Sequence, residues 1–326
     1  MLNYYALLNQ NFLNLIPYVL EFNALNFYST LAGHPLRDQK KHKRLKKQMI
    51  AYIEDHLKED AQLMSSLGIK HKFVRPKDIL GHYKTLFKIF VNYRDVIKLR
   101  NTNDLSTKSE REYPKYFDRN FHFQTDGYTS VESASIYEHQ VELLFAGMAA
   151  PMRRLLLNEV SAFKNGKLIE LACGTGAATK IVSEFLPEAQ IKATDISHEY
   201  LEFAKENIAA SNIEFSVLDA TELDQKADCV YHVFLLHELP SKERKKVLEK
   251  QLKALKPGGR AVIVDSIQVG DVPFLDEVLY DFPLYFHEPF YKHYIEHPIE
   301  NELRELGATK IKTTIRLFSK CVSFSA

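Results

Sequence analysis

The sequence predicts an α/β fold: a mostly parallel sheet whose strands alternate with amphipathic helices, preceded by a helical N-terminal region. Three observations predict it. Between Leu168 and Thr179 an apolar run turns through glycines directly into a helical pattern. Further short apolar runs, each followed by a helical pattern, recur from Gln190 to Asp265, and the first two end in acidic residues. The first 129 residues, by contrast, repeat their apolar positions at helical spacing. With 326 residues and 45% hydrophobic content, the chain can bury two cores, or one core and a substantial cap.

In the N-terminal region, Leu45, Met49, Ile50, Ile53 and Leu57 share one helix face, and Ile79–Leu99 makes a second helix through Leu86, Phe87, Phe90 and Val91. Asn101–Lys115 is polar and reads as a loop. The apolar stretch from Leu2 to Leu31 is broken by Asn9, Asn11, Asn14, Pro17 and Glu21 and lacks a basic start, so it does not read as a targeting segment. No run is long enough to cross a bilayer. Up to residue 150 there are 21 Lys and Arg against 16 Asp and Glu; the remainder has 22 against 26, for a net charge of +1. The basic run from Arg37 to Lys47 reads first as a solvated helix face, which makes nucleic acid an unlikely partner, with docking to an acidic carrier or an anionic membrane surface as second readings. Three cysteines, Cys173, Cys229 and Cys321, show no pairing pattern and point to a reducing, cytoplasmic setting.

Tyr113 to Arg154 mixes aromatic bulk with polar tips, including Tyr128, and Thr129-x-x-Glu132 reads as a capping box for a helix to about Phe145. Leu168, Ile169 and Leu171 form a buried strand. Ala178, Ile181, Val182 and Phe185 then give the face of a helix packed on it. Gly174 and Gly176 permit positive φ and close approach of a ligand to the backbone, with the N–H groups of the next helix pointing at it. A dinucleotide fingerprint would need a third glycine where Thr179 stands, and no Gly-Lys-Ser/Thr follows for a Walker loop. Gln190–Thr194 is the second strand, and Asp195 at its tip can accept hydrogen bonds from both ribose hydroxyls. Ser197 caps a helix with Leu201, Ala204 and Ile208 inward. Ile213–Leu218 leads to Asp219-Ala220, and Cys229–Phe234 to Leu-Leu-His-Glu-Leu-Pro. Lys256–Gly259 turns into Ala261–Asp265. Eight aromatics between Phe274 and Tyr294, with Pro273, Pro283 and Pro289, predict a shaped wall more than a regular helix, suited to an aromatic or partly apolar small molecule. Thr309–Phe318 and Lys320–Ala326 close the chain as two β segments.

Glu-Leu-Ala-Cys-Gly-Thr-Gly at 170–176 resembles motif I of the class I S-adenosylmethionine-dependent methyltransferases, with Ala172 in place of the first glycine. That replacement is a small change if the backbone there stays in an ordinary region. The resemblance implies a Rossmann-like, seven-stranded, mostly parallel sheet with an antiparallel last strand. The methyltransferase domain would span 130–326 with a lid insertion at about 267–295, behind a helical cap or substrate domain at 1–129. It implies S-adenosyl-L-methionine as cofactor, held by Glu170, Ala172, Gly174, Gly176, Asp195, Ile196, Asp219, Ala220 and Phe234, with Asp219 on the adenine amino group. Tyr137, Gln140 or Arg153 would lie near the methionine tail, and Tyr128, Tyr137, Gln140, Tyr285 and Tyr291 would form the substrate side and lid.

Methyl transfer asks the protein mainly for alignment. A base is needed only if the acceptor loses a proton. His237, past the fourth strand at the carboxyl edge, suits that role, with His287 and His293 as alternatives; it can equally line the cleft with Glu238. His237-Glu238 and His287-Glu288 together have no spacing of a known ligand set, so no metal is expected. The core is similar to ubiquinone and menaquinone C-methyltransferases and to small-molecule O-methyltransferases, so the expected partner is a small acceptor methylated on oxygen or carbon. A homodimer remains open. The alternatives are a non-methylating binding subunit of the same fold, or an RNA or protein methyltransferase; the absence of Asn-Pro-Pro-Tyr after the fourth strand speaks against base methylation.

Overall fold

The computed structural model describes residues 2–31, 46–70, 111–119 and 126–326; the side chains at 2, 21–31, 46 and 284–286 lie outside that description. The predicted helix at 79–99, most of the basic run at 37–47 and the aromatic positions 121–125 fall outside the described residues. Seven strands form one sheet in the order β3-β2-β1-β4-β5-β7-β6. They are β1 Lys167–Leu171, β2 Gln190–Asp195, β3 Ile213–Val217, β4 Ala227–Val233, β5 Leu255–Ser266, β6 Thr309–Arg316 and β7 Ser319–Ser325. β1 to β5 pair in parallel, and β7 runs antiparallel to both β5 and β6, so β7 is the reversed strand. The strand order reverses at β1, between β2 and β4, where open α/β sheets leave a crevice at the carboxyl edge.

Period-two alternation sorts the strand residues onto the two faces of the sheet. Ile169, Leu171, Val230, Ala261 and Ile263 belong to one buried cluster, while Leu168, Cys229, Tyr231, Val262 and Val264 belong to another. Because both faces are covered by helices, the central strands read as unbroken apolar runs. Lys256–Gly259 does not precede β5 as predicted but sits inside it as a bulge, since Ala227 pairs with Leu255 and Cys229 already with Arg260.

Two long helices, α1 Leu2–Leu31 and α2 Lys46–Ser66, pack on each other, and α1 also on α3 Val131–Leu144. Leu57 of α2 is fully buried beside Leu317, Met148 and Met152. Ile50, predicted on the same inward face, is 55% exposed because α2 covers the core with only part of its apolar stripe. Tyr52 Oη donates to the Leu317 carbonyl over 2.6 Å. Buried Asp60 accepts from Arg154 Nε at 3.1 Å, from Arg316 at 3.2 Å and from Asn11 at 3.0 Å, which pins both helices to the core. α3 begins one residue later than predicted: its N-cap is Ser130, whose hydroxyl accepts from the Ser133 N–H, while Thr129 Oγ1 donates to the Asp126 carbonyl. No helix among the described residues is long and apolar enough to cross a membrane.

Candidate active site

The glycine loop lies between β1 and α4 Ala177–Phe185 and is tied to the neighbouring strand by Cys173 N–H donating to the Thr194 carbonyl at 2.8 Å. Gly174 (φ +56) donates its N–H to Asp195 Oδ2 at 2.7 Å, and only Tyr200 would come within 4 Å of a side chain added there. That open space is what a ligand against backbone requires. Gly176 (φ +81) sits in the left-handed region that favours glycine, packs beside Ile208 and Ala204, and is not among the residues lining the cleft. Ala172 lies at φ +51, in the left-handed region, which corrects the expectation of an ordinary backbone there. An alanine in that region carries roughly 1 kcal/mol of strain that glycine would not. Cys173 is buried at the cavity wall, and burial first, then Asp195 and Glu170, push its thiol well up, which disfavours the thiolate.

A cavity of about 980 Å³, its open mouth included, runs along the carboxyl edge from this loop. Glu170, Ala172, Gly174, Asp195, Ile196, Ala220 and Phe234 line it, with Tyr128, Tyr137 and Arg153. Asp195 caps β2, accepting from Gly174 N–H and, on Oδ1, from Ser197 N–H at 2.8 Å. Burial outweighs these bonds and pushes its carboxyl up to about 6. Glu170 lies under the loop, takes the Tyr231 hydroxyl at 3.0 Å, and is raised by burial to about 7. Asp219 is not in the wall itself. Its Oδ1 accepts from Thr221 N–H and its Oδ2 from the Tyr116 hydroxyl, both at 2.8 Å, because it caps the turn Ala220–Glu222; Leu218, Ala220 and Thr221 face the cavity in its place. Tyr116 and Phe117 reach the mouth from a segment that Tyr113 fastens to Glu199 at 2.8 Å.

At the other end Arg153 is 6% exposed, pairs with Glu138 at 2.9 Å and places its guanidinium 5.8 Å over the Phe234 ring. Tyr128, Tyr137 and Tyr200 pack edge to face, with centroids 5.5 to 5.7 Å apart.

A second cavity of about 820 Å³ shares Tyr137, Phe234 and Glu238 with the first. Val141 and Leu144 of α3, its C-cap Phe145, Val278, Leu279 and Phe282 of α7 Asp276–Phe286, Tyr291 of α8 Tyr291–Glu296, and Phe318 complete its apolar wall, with Ser266 and His237 as polar members. Here α5 is His198–Asn207, α6 is Ser241–Ala254 and α9 is Ile299–Glu305, the short helices before β1 being described by their residues alone. The lid aromatics therefore sit largely on regular helices, with Pro273 and Pro283 accommodated, and not on an irregular wall. Phe234, at φ +58 where β4 ends, stacks on Phe145 at 6.2 Å and stands between the two cavities.

His237 faces this chamber from the turn Leu236–Glu238, with Nδ1 2.6 Å from Asp265 Oδ1. Burial alone would lower its pKa; Asp265, with Glu288 and Glu238 behind it, reverses the shift and pushes it up to about 9. Glu238 accepts from the Tyr128 hydroxyl at 2.7 Å. His237, Glu238 and Glu288 bring one ligand-capable atom each within 4.8 Å of one another. His287 stands at the left-handed C-cap of α7 (φ +52), and among the described residues neither His287 nor Gln140 lines either cavity. The neighbour of His287, Glu288, is buried and likewise lines neither cavity. Gln140 lies about 160° around α3 from Glu138, which faces the first cavity. The Tyr285 side chain is outside the described residues.

A family model for a methyltransferase domain matches residues 168–259, the stretch that carries β1 to the start of β5. Residues 168–259 thus carry a methyltransferase domain, and the fold around them is one shared with S-adenosylmethionine-dependent methyltransferases. The chain is 28% identical over 156 residues to the ubiquinone/menaquinone biosynthesis C-methyltransferase of Desulfotalea psychrophila, covering 47% of this chain and 61% of that protein. It is 34% identical over 90 residues to the malonyl-[acyl-carrier protein] O-methyltransferase of Acetivibrio thermocellus, covering 26% and 32%. The chain thus spans less than two thirds of these curated relatives. Human N-acetylserotonin methyltransferase, solved in complex with S-adenosylmethionine, shares the fold at a TM-score of 0.53 and 16% identity over 74% of this chain and 69% of that one.

In this methyltransferase core, sequence reasoning missed Asp265 as the partner of His237, Glu138 as the partner of Arg153, and the Tyr116–Asp219 bond. Asp265 carried a signal, being an acid at the tip of β5 beside β4. Glu138 and Tyr116 carried none, because their partners are brought to them only by folding.

Proposed function

We propose that this protein transfers a methyl group from S-adenosyl-L-methionine to a hydroxyl-bearing, aromatic or partly apolar small molecule. The observation that carries the reading is the pair of cavities with one shared wall, the first lined by Asp195 and backbone groups, the second apolar with a buried His–Asp pair at its polar end. The residues of the first cavity suit the cofactor. Gly174 leaves room against the backbone, Asp195 retains lone pairs for two ribose hydroxyls, and the Arg153 guanidinium, steadied by Glu138, suits a carboxylate. When bound, the cofactor supplies an activated sulfonium methyl.

The chain's own work is alignment and proton handling. Phe234 and Tyr137 divide the two ligands and fix their approach, worth up to about 7–11 kcal/mol in favourable intramolecular cases. Asp265 holds the proton on Nδ1 and leaves Nε2 of His237 to take the acceptor's proton. Such a base is worth roughly 10²–10⁴-fold. The apolar chamber excludes water and favours a flat acceptor with one polar group. In the ligand-free site His237 is protonated at neutral pH; a neighbouring sulfonium charge disfavours that proton and readies the ring as a base.

The test is incubation with S-adenosylmethionine and a panel of hydroxylated aromatics, with methylated product followed by mass spectrometry. Product from the wild type, reduced at least about 100-fold in His237→Ala, supports the reading. Cofactor binding without product from any phenol, alcohol or ring-carbon acceptor would leave the non-methylating alternative in its place.

A further inference from the structure

His237 and Glu238 ride on a single turn of 3-10 helix, Leu236–Glu238, too short to hold its own direction. On one side Asp265 secures it, accepting from Leu236 N–H at 2.7 Å and from His237 Nδ1 at 2.6 Å. On the other side stands Arg244, in the first turns of α6, with no exposed surface. Its Nε donates to the Leu236 carbonyl and its Nη2 to the Leu239 carbonyl, each at 3.0 Å, so the fork grips both ends of the turn that bears His237 and Glu238. The remaining nitrogen, Nη1, lies 3.2 Å from His293 Nδ1, and the guanidinium plane sits 5.2 Å from the Tyr294 ring; both residues belong to lid helix α8. Tyr294 in turn donates to the Ser266 carbonyl at 2.7 Å, next to Asp265. The counter-charge is partial, Glu302 lying 3.8 Å away.

Burying an always-charged guanidinium is costly, and an apolar side chain of similar length could fill the space. What the apolar substitute could not do is hold two carbonyls and a lid imidazole in one plane. We infer that Arg244 is a positioning residue that clamps the His237–Glu238 turn to lid helix α8, so that capture of the acceptor under the lid and the aim of the proton acceptor are set together. This inference rests on His237 acting as the base.

The coupling has two arms, and they are separable. Loss of the fork frees Leu236 and Leu239, lets the turn swing and lengthens the His237–Asp265 bond. Loss of His293 alone frees the lid and leaves the turn gripped.

The experiment uses the full chain saturated with S-adenosylhomocysteine, with ¹⁵N-labelled histidine followed by NMR through a pH titration, and calorimetry with S-adenosylhomocysteine alongside. Arg244→Met is expected to lose the strongly hydrogen-bonded Nδ1 proton of His237 and to move its midpoint at least one pH unit toward the ordinary imidazole value. Its S-adenosylhomocysteine affinity is expected to stay within threefold of wild type. Arg244→Lys, able to reach one carbonyl at a time, falls between. His293→Ala, which leaves the fork on both carbonyls, is expected to keep the strongly hydrogen-bonded His237 proton and its midpoint. An Arg244→Met protein with wild-type His237 titration would overturn the inference, as would one that loses cofactor affinity tenfold or more, since Arg244 would then be a general scaffold residue. Should Arg244→Met fail to fold, Arg244→Lys decides by the same two readouts. Failure of the wild type to bind S-adenosylhomocysteine would break the functional reading itself, a result the Arg244 variants cannot mimic.

Discussion

The two cavities share three wall residues yet are made in opposite ways. The cofactor cleft is built from strand tips and turns: Ala172, Gly174, Asp195, Ile196 and Ala220 all stand within a few residues of the carboxyl end of a parallel strand. The second cavity, proposed for the acceptor, is built mainly from helix faces, with Val141, Phe282 and Tyr291 joined by Phe318 of the β6–β7 turn, segments spanning nearly 180 positions of the chain. Backbone geometry makes the first rigid and chemically specific. Side-chain packing shapes the second, whose polar features are the His237–Asp265 pair, Glu238 and the Ser266–Tyr291 hydrogen bond.

If that contrast is right, substitutions should separate the two. His237→Ala should slow turnover roughly 10²–10⁴-fold while leaving S-adenosylhomocysteine affinity within about twofold; equal losses in both would erase the division. Asp195→Ala should do the reverse. Two hydrogen bonds to a charged acceptor are lost, roughly 3 kcal/mol or more, so calorimetry should show affinity down at least about 100-fold. Phe282→Ala, which widens only the chamber, should raise the acceptor KM about tenfold and leave the cofactor titration unchanged.

The division also has a pH signature, with two separate midpoints of the same sign. Asp195, raised to about 6, must be ionised to accept from ribose hydroxyls, so S-adenosylhomocysteine affinity should be flat above that pH and fall as pH drops through it, by at most about tenfold per unit. His237, raised to about 9, must be neutral to act as base, so kcat/KM should climb with pH toward that value while kcat, measured with the sulfonium bound, should level off earlier. A single midpoint shared by binding and turnover would contradict two independent sites. The smallest effect is expected at Ala172, where φ +51 favours glycine: Ala172→Gly should stabilise by about 0.5–1 kcal/mol, a rise of roughly 1–4 °C in Tm, with the cofactor affinity held.

The same contrast explains what the sequence made legible. β1, the glycine loop, β2 and Asp195 stand together in the chain, so a local pattern of apolar run, glycine and acid announces them, and the structure places them where that pattern said. Ser197 and its helix were readable for the same reason. Asp219 stands at its strand tip as the pattern said, but an acid there can cap the next turn as well as face a ligand, and Thr221 N–H and Tyr116 hold it in the cap. His237 was found by its place after β4, but nothing local told that Asp265, 28 residues on, would hold its Nδ1. In the lid, a helical period was hidden by Pro283 and by so many aromatics that no face looked polar.

The most direct test of the central claim is calorimetric titration of the full chain with S-adenosylhomocysteine at pH 7.5. One site per chain is predicted, with Kd near or below about 1 μM, corresponding to roughly −8 kcal/mol, and largely abolished in Asp195→Ala. No heat of binding in the wild type, or wild-type affinity in Asp195→Ala, would contradict the account.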